Sequence, residues 1–418
     1  MRRKAIVFLL LISVSTTVLF SGCNGNTSSD TTANATQPSD SETESQTETQ
    51  TETPPETESA GVHVDPVTIS ITAIGDMLMH AGASMPAVQA DGSYNYDYLF
   101  ANVKDSIQAA DMAVVNEEVI FGGNEIGLLG YPHFNVRDEL GHALVNAGFD
   151  TVLFATNHAI DQHASGILNT IDFWENNYPD TTYLGIHESQ EHSDNIVIKD
   201  IEGIKVALLN YTYSLNGFNL PSDMPYLVDL MTKYTKEEVA ADIAKAEELA
   251  DFVIVFPHWG TEYVLTETEE QQEWAQLFVD NGADLIIGTH PHVVEPVKWV
   301  EGKNGNKALV YYSLGNFVSI QYYNFSMLGG MAEVSITKDS SGTYISDYDM
   351  EFLVTHYTPG RTQVTTYFLD DYTNELASQH AILTEPGEKY MNINKNYPFT
   401  VEGLKALAEQ ICPDLADY

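Results

Sequence analysis

From Val67 onward, short apolar runs rich in β-branched residues alternate with stretches whose apolar positions recur at helical spacing, which predicts βα units around a largely parallel core. One pattern is written four times: a helix ends in small residues, a short apolar strand follows, and the strand's C-terminal end delivers polar groups. The copies are AADMAVVNEE (109–118), NAGFDTVLFATNH (146–158), ELADFVIVFPHWG (248–260) and NGADLIIGTHPH (281–292). A fifth strand, VTISITAIGD (67–76), has the same ending without the preceding helix. TKEEVAADIAKAEELA (235–250) and TEEQQEWAQLFVD (268–280) predict amphipathic helices, the second with Trp274, Leu277 and Phe278 on its buried stripe. Further on, ITKDSSGTYISDYDMEFLVTH (336–356) predicts a hairpin turning at Ser340–Gly342, and the stretch from about 370 to 418 predicts two helices packed on the sheet.

In open α/β sheets ligands bind beyond the carboxyl ends of the strands, so all five tails are expected to meet at one sheet edge. What would converge there is Asp76, His80, Glu118, Asn157, His158, His258, His290 and His292: carboxylates, imidazoles and one amide, with no thiolate. That donor set suits hard to borderline divalent ions such as Mn²⁺, Fe²⁺ or Zn²⁺ and is large enough for two. His290 and His292 alternate by two around Pro291, so they point the same way if strand geometry continues past the turn. Gly260 permits the close backbone approach of a ligand loop after His258, Trp259 is read as a pocket wall, and YYSLGNF (311–317) as a tight turn under the site.

Within ATNHAID (155–161), Asn157 reads as a ligand through its carbonyl, as the cap of the following turn, or as both, and His158 is free to protonate a leaving oxygen with Asp161 setting its tautomer. Glu262 either accepts the second ring proton of a metal-bound histidine or is an exposed loop carboxylate.

Composition narrows the partners. Eighteen basic against 60 acidic side chains give a net charge of −42, which repels phosphate backbones and argues against nucleic acid. The 43% hydrophobic fraction, with 23 Tyr and 17 Phe, is ample for a sizeable core. With Cys23 and Cys412 as the two cysteines, neither a disulfide framework nor a thiolate zinc site is available.

The N-terminal segment has a separate logic. Arg2, Arg3 and Lys4 precede an apolar run from Ala5 to Phe20, closed by Ser21, Gly22 and Cys23, the layout of a secretory signal over residues 1–22. Cysteine after small residues resembles a bacterial lipobox, which makes Cys23 the expected lipidation site and the extracytoplasmic membrane face the expected location. Residues 23–65, acidic and rich in Thr, Ser and Glu, read as a disordered stalk, and 66–418 as the folded domain.

Taken in order, GDMLMH, NEE, NAGFDTVLFATNHAID, FPHWGTEY, GTHPHVVEPV and YYSLGNF resemble the motifs of the CapA family of poly-γ-glutamate capsule biosynthesis proteins, over residues 68 to about 340. The resemblance implies a metallophosphoesterase-like α/β/β/α sandwich. It also implies metal ligands at Asp76, Glu118, Asn157, His258, His290 and His292, with His80 as an additional candidate and His158 as the catalytic imidazole. Thr156 stands where the family motif has a second Asn, Glu117 replaces an apolar residue, and QHASG follows Asp161, which leaves the role of His163 open. Three readings follow. One is di-metal phosphoester hydrolysis; the second is a non-catalytic accessory role in binding or exporting an anionic cell-surface polymer, with metal organising a carboxylate-binding cleft without turnover; the third is a scaffold for a membrane synthase with a vestigial metal site.

Overall fold

A computed structural model describes residues 65–415, all within one compact unit, Val62–Tyr418. The signal segment, Cys23 and nearly all of the stalk lie outside the described residues. In chain order the strands are β1 (Val67–Met77), β2 (Met112–Glu117), β3 (Thr151–Leu153), β4 (Thr182–Leu184), β5 (Val197–Ile201), β6 (Ile204–Thr212), β7 (Phe252–His258), β8 (Leu285–Ile287), β9 (Val297–Glu301), β10 (Lys307–Tyr311), β11 (Asn316–Val318), β12 (Leu328–Asp339), β13 (Gly342–Tyr357) and β14 (Val364–Phe368). The α-helices are α1 (Lys104–Ala109), α2 (Glu139–Ala147), α3 (His163–Asn177), α4 (Gln190–Ser193), α5 (Lys236–Leu249), α6 (Glu269–Asp280), α7 (Asn374–Gln379), α8 (Glu388–Asn394) and α9 (Val401–Ile411).

These strands form two sheets. The first runs β14-β13-β12-β1-β2-β3-β4 with β11 added beside β1; the second runs β5-β6-β7-β8-β10-β9. The βα units give parallel pairing across β1, β2, β3 and β4 and across β6, β7, β8 and β10. The hairpin of β12 and β13, closed between Asp339 and Gly342, and its neighbour β14 pair antiparallel, so the first sheet is mixed.

Strand alternation sets the layers. On β7, Phe252, Ile254 and Phe256 join the core shared with the first sheet's Ile71, Val114 and Val152. Val253 and Val255 face the other way, onto Ile243 of α5 and Phe278 of α6. The first sheet carries α2 and α3, whose Leu140, Leu144, Ile167 and Trp174 enter the larger core. The result is the expected α/β/β/α sandwich.

Local signals start the outer helices. Thr235 and Glu238 close a capping box on α5, and Thr268 and Gln271 do the same on α6. The C-terminal segment contains α7, α8 and α9, one helix more than its periodicity suggests, because the shortest of them show too little of a helical stripe to be read.

Candidate metal centre

Asp76 sits near the end of β1, Glu118 directly after β2, Asn157 and His158 after β3, His258 at the last position of β7, and His290 and His292 after β8. The first three strands belong to one sheet and the last two to the other, so the expectation of a single sheet edge is corrected: two parallel halves bring their carboxyl ends together. A close backbone approach fixes the first of these groups. A Cβ on Gly75 would lie 2.0 Å from the carbonyl oxygen of Gly315, whose own φ is 64°. That carbonyl accepts from the Asp76 N–H at 2.8 Å, so the LGN turn does lie beneath the site.

Seven of the eight strand-end residues are buried, His158 at 6% exposure being the most accessible of them. Two donor groups result, Asp76–Glu118–His292 and Glu118–His258–His290, each with its ligand atoms within 4.8 Å of one another. Glu118 belongs to both. Its Oε1 lies 3.7 Å from His258 Nε2 and its Oε2 3.7 Å from His292 Nδ1. His292 Nδ1 donates to Asp76 Oδ2 at 3.0 Å, and His258 Nε2 donates to Asn157 Oδ1 at 3.0 Å.

Both carboxylate oxygens of Glu118 and both ring nitrogens of His290 are buried without a hydrogen-bond partner. Orphaned polar atoms of this kind cost about 1–3 kcal/mol each, more when charged. A divalent cation would satisfy carboxylate oxygens and imidazole lone pairs together, so this donor set fits the metal chemistry that the resemblance implies. Backbone geometry agrees. His290 and His292 have φ of 99° and 57°, a region that non-glycine residues seldom occupy and that clusters at functional sites. These turns replace the continued strand expected from the sequence, and each histidine joins a different donor group.

Burial pushes the Glu118 carboxyl well above its ordinary range, with His292 opposing and Asp76 reinforcing the shift. Burial likewise holds the His258 and His290 imidazoles well below theirs, keeping them neutral and able to ligate. Burial also disfavours the His292 cation, but the charges of Glu118 and Asp76 and the Asp76 hydrogen bond outweigh it and push His292 up to about 9. The two tendencies compete, since His292 gains most from an ionised Glu118. The direct hydrogen bond to Asp76 keeps the proton on His292. A proton on that ring balances negative charge where a cation would displace it.

His158 stands beside the donor groups. Its Nδ1 donates to Asp161 Oδ2 at 2.7 Å, and the same oxygen accepts from the Phe134 N–H at 2.7 Å. The Phe134 ring meets the imidazole edge-on at 4.7 Å. Asn216 Nδ2 lies 3.3 Å from His158 Nε2 and 3.5 Å from Nδ1. Near-equal distances to both nitrogens put the amide over the ring rather than on one nitrogen alone. Asn216 Oδ1 in turn accepts from Asn157 Nδ2 at 3.3 Å.

Other expected residues sit elsewhere. His80 is half-buried and belongs to neither donor group; its Nδ1 meets the Leu78 carbonyl at 3.1 Å, and burial lowers it to about 4. Glu262 is exposed, and the second ring nitrogen of His258 is met by Thr289 Oγ1 at 3.0 Å instead. Trp259 is a correction: strand alternation turns it away from His258, against Phe278 and Tyr312, with its indole N–H on the Tyr312 carbonyl at 2.9 Å. His163 is exposed, with φ of 61°, at the start of α3.

Four supporting residues were not read from the sequence. Asn116 and Asn316 flank Asp76 in register on neighbouring strands, and Asn116 Nδ2 donates to Asp76 Oδ1 at 2.9 Å. Thr289 and Asn216 complete the set. The Asn216-Gly217 pair signals a turn, but nothing local reveals that the turn lies over His158.

Residues 70–321 match the family described as bacterial capsule synthesis protein PGA_cap. The chain belongs to this family. A capsule biosynthesis protein CapA from Bacillus anthracis is 28% identical over 265 residues, covering 61% of this chain and 61% of that protein, less than two thirds of its length. A PGA biosynthesis protein CapA from Bacillus subtilis is 26% identical over 279 residues, 66% of this chain and 70% of that one. Among solved structures, a phosphatase from Mycoplasma pneumoniae aligns at 15% identity with a TM-score of 0.44, over 69% of this chain and 94% of that chain. A calcineurin-like phosphoesterase from Bacillus subtilis aligns at 12% identity with a TM-score of 0.39, over 82% and 99% respectively.

Proposed function

We propose that this PGA_cap family member is a metal-dependent phosphoester hydrolase of the cell surface, anchored through Cys23 at the extracytoplasmic membrane face and acting in capsule or poly-γ-glutamate assembly. The observation that carries the reading is Glu118, a buried carboxylate with two unpartnered oxygens shared by two donor groups. Asp76, Glu118 and His292 would hold one cation, and Glu118, Asn157, His258 and His290 a second; Mn²⁺, Fe²⁺ and Zn²⁺ all suit these donors. When bound, such ions supply Lewis-acid polarisation of a phosphoryl oxygen and ease deprotonation of water.

The chain's own part is acid catalysis and positioning. Asp161 keeps the Nδ1 proton of His158 and stabilises the charged ring. Protonated at Nε2, His158 gives that proton to the departing oxygen as its bond to phosphorus breaks and the water oxygen takes its place. Phe134 and Asn216 fix the ring, which costs no reorientation during the reaction. The net charge of −42 favours capture of an anionic substrate at the site itself over long-range steering.

The test is metal analysis of the purified full chain, with turnover on phosphomono- and phosphodiesters in the presence of Mn²⁺, Fe²⁺ or Zn²⁺. About two metals per chain are expected, with turnover lost in His158→Ala and His290→Ala and metal retained in the first. Metal without turnover on any phosphoester overturns the hydrolase and leaves a non-catalytic role in binding or exporting an anionic polymer, beside a membrane synthase. Absence of bound metal overturns both.

A further inference from the structure

A second pair of histidines lies away from this centre, where the two sheets meet. β4 of the first sheet leads into His187, and the chain after β6 of the second sheet passes beside it: Ile186 bridges to Val228, and the His187 N–H donates to the Leu227 carbonyl at 3.1 Å. A cavity of about 60 Å³ opens here, lined among others by Tyr183, His187, His192, Tyr211, Asp229 and Asp242. That is room for an ion with one or two waters.

Each imidazole has one nitrogen on a carboxylate. His187 Nε2 lies 2.8 Å from Asp229 Oδ2, and His192 Nδ1 contacts Glu188 Oε2. An ionised carboxylate only accepts, so in both neutral rings the proton sits on the paired nitrogen and the other nitrogen keeps its lone pair. On His187 that other nitrogen, Nδ1, is buried without a partner, and the residue is 7% exposed. The two rings meet edge to face with centroids 4.9 Å apart, and both line the cavity. Imidazoles held by carboxylates in this way are the usual state of metal-binding histidines. Water would complete the coordination, because no third His, Cys, Asp or Glu donor joins the two within 4.8 Å among the described residues.

We propose that His187 and His192 form a separate site for one borderline divalent cation such as Zn²⁺, with Asp229 and Glu188 orienting the rings. Both ligands lie on the segment after β4, which His187 links to the chain after β6 through Asp229, so the ion braces that segment at the seam between the sheets. Acidic neighbours favour it: Asp242 faces Asp229 and Asp194 across the cavity, and burial with their charges pushes its carboxyl up. The site is independent of phosphoester hydrolysis.

Zn²⁺ alone, added to the metal-stripped full chain and counted by elemental analysis, tests this. The His187→Ala/His192→Ala double variant is expected to hold one Zn²⁺ fewer per chain than the unaltered protein, with turnover at the main centre unchanged. Asp229→Asn, a change of one atom that keeps the cavity's shape, is expected to weaken that one binding step by about tenfold or more. Zn²⁺ should raise the thermal midpoint of the unaltered chain more than that of Asp229→Asn. Equal stoichiometry in the double variant overturns the proposal, as does an unchanged affinity in Asp229→Asn should the double variant fail to fold.

Discussion

Two clusters of buried imidazoles in this molecule have opposite surroundings. His258, His290 and His292 face the carboxylates of Asp76 and Glu118, with several donor atoms unpartnered. His356 and His380, packed at 5.2 Å under the C-terminal helices, meet neutral groups: the Tyr372 hydroxyl at 2.7 Å from His356 Nδ1, and the Thr355 carbonyl and Ile382 N–H at 3.0 and 2.9 Å from His380. Burial alone lowers His356 to about 4, and burial with its neighbour lowers His380 to about 3. The second cluster is packing that happens to be made of histidine. Burial is common to both; adjacent buried carboxylates distinguish the one built for cations.

The sharpest way to break this contrast is at the shared carboxylate. Glu118→Gln keeps shape but removes the charge from both donor groups, and metal content is expected to fall from about two per chain to below one, with turnover at background. His356→Gln should leave metal content untouched. Elemental analysis of the two variants decides between them, and equal metal loss in both would erase the distinction. Next in size is His158→Ala, expected to lower kcat by about 10²–10⁴-fold, the usual worth of a positioned acid, while metal is retained.

Acid separates the clusters by stability. A histidine ordinarily titrates near 6.5, and in the folded chain His356 and His380 resist protonation down to about 4 and about 3. The unfolded chain therefore binds more protons below 6.5, so their contribution is fully present above that pH. It falls by about 1.4 kcal/mol per pH unit for each ring until the folded values are reached. Between pH 6.5 and 5 the loss is about 2 kcal/mol per ring. Denaturant unfolding of the metal-loaded chain at the two pH values, beside His356→Gln, measures it; an unchanged slope in the variant would show that His356 is not the group responsible.

The contrast also marks what sequence could and could not reveal. Asp76, Glu118, His258, His290 and His292 were legible because each ends an apolar strand, and such ends converge for any sequence that makes parallel βα units. That they come from two sheets was not legible, since strand order depends on long-range pairing that the local pattern of β7 and β8 shares with β2 and β3. His187 and His192 end no strand of the repeated pattern, and the carboxylate of Asp229 lies 42 residues away from His187 in the chain. Trp259 was misread because its neighbour His258 drew it toward the site, whereas alternation at the end of β7 sends adjacent side chains to opposite faces.

Asn216 tests whether the supporting groups matter as much as the ligands. Its amide touches both Asn157 of the donor set and the face of His158, from an exposed turn with φ of 52°. Because Asn216 lies outside both metal-binding groups, Asn216→Ala should leave metal content intact. Loss of the amide frees the imidazole to rotate about its Asp161 hydrogen bond, so the effect should fall on kcat, by about tenfold, the low end for a group that orients a catalytic one. KM should change less, because the phosphoryl-binding donors are untouched. A rise in KM with kcat unchanged would instead make Asn216 a substrate contact, and the clamp on His158 would then rest on Asp161 and Phe134 alone.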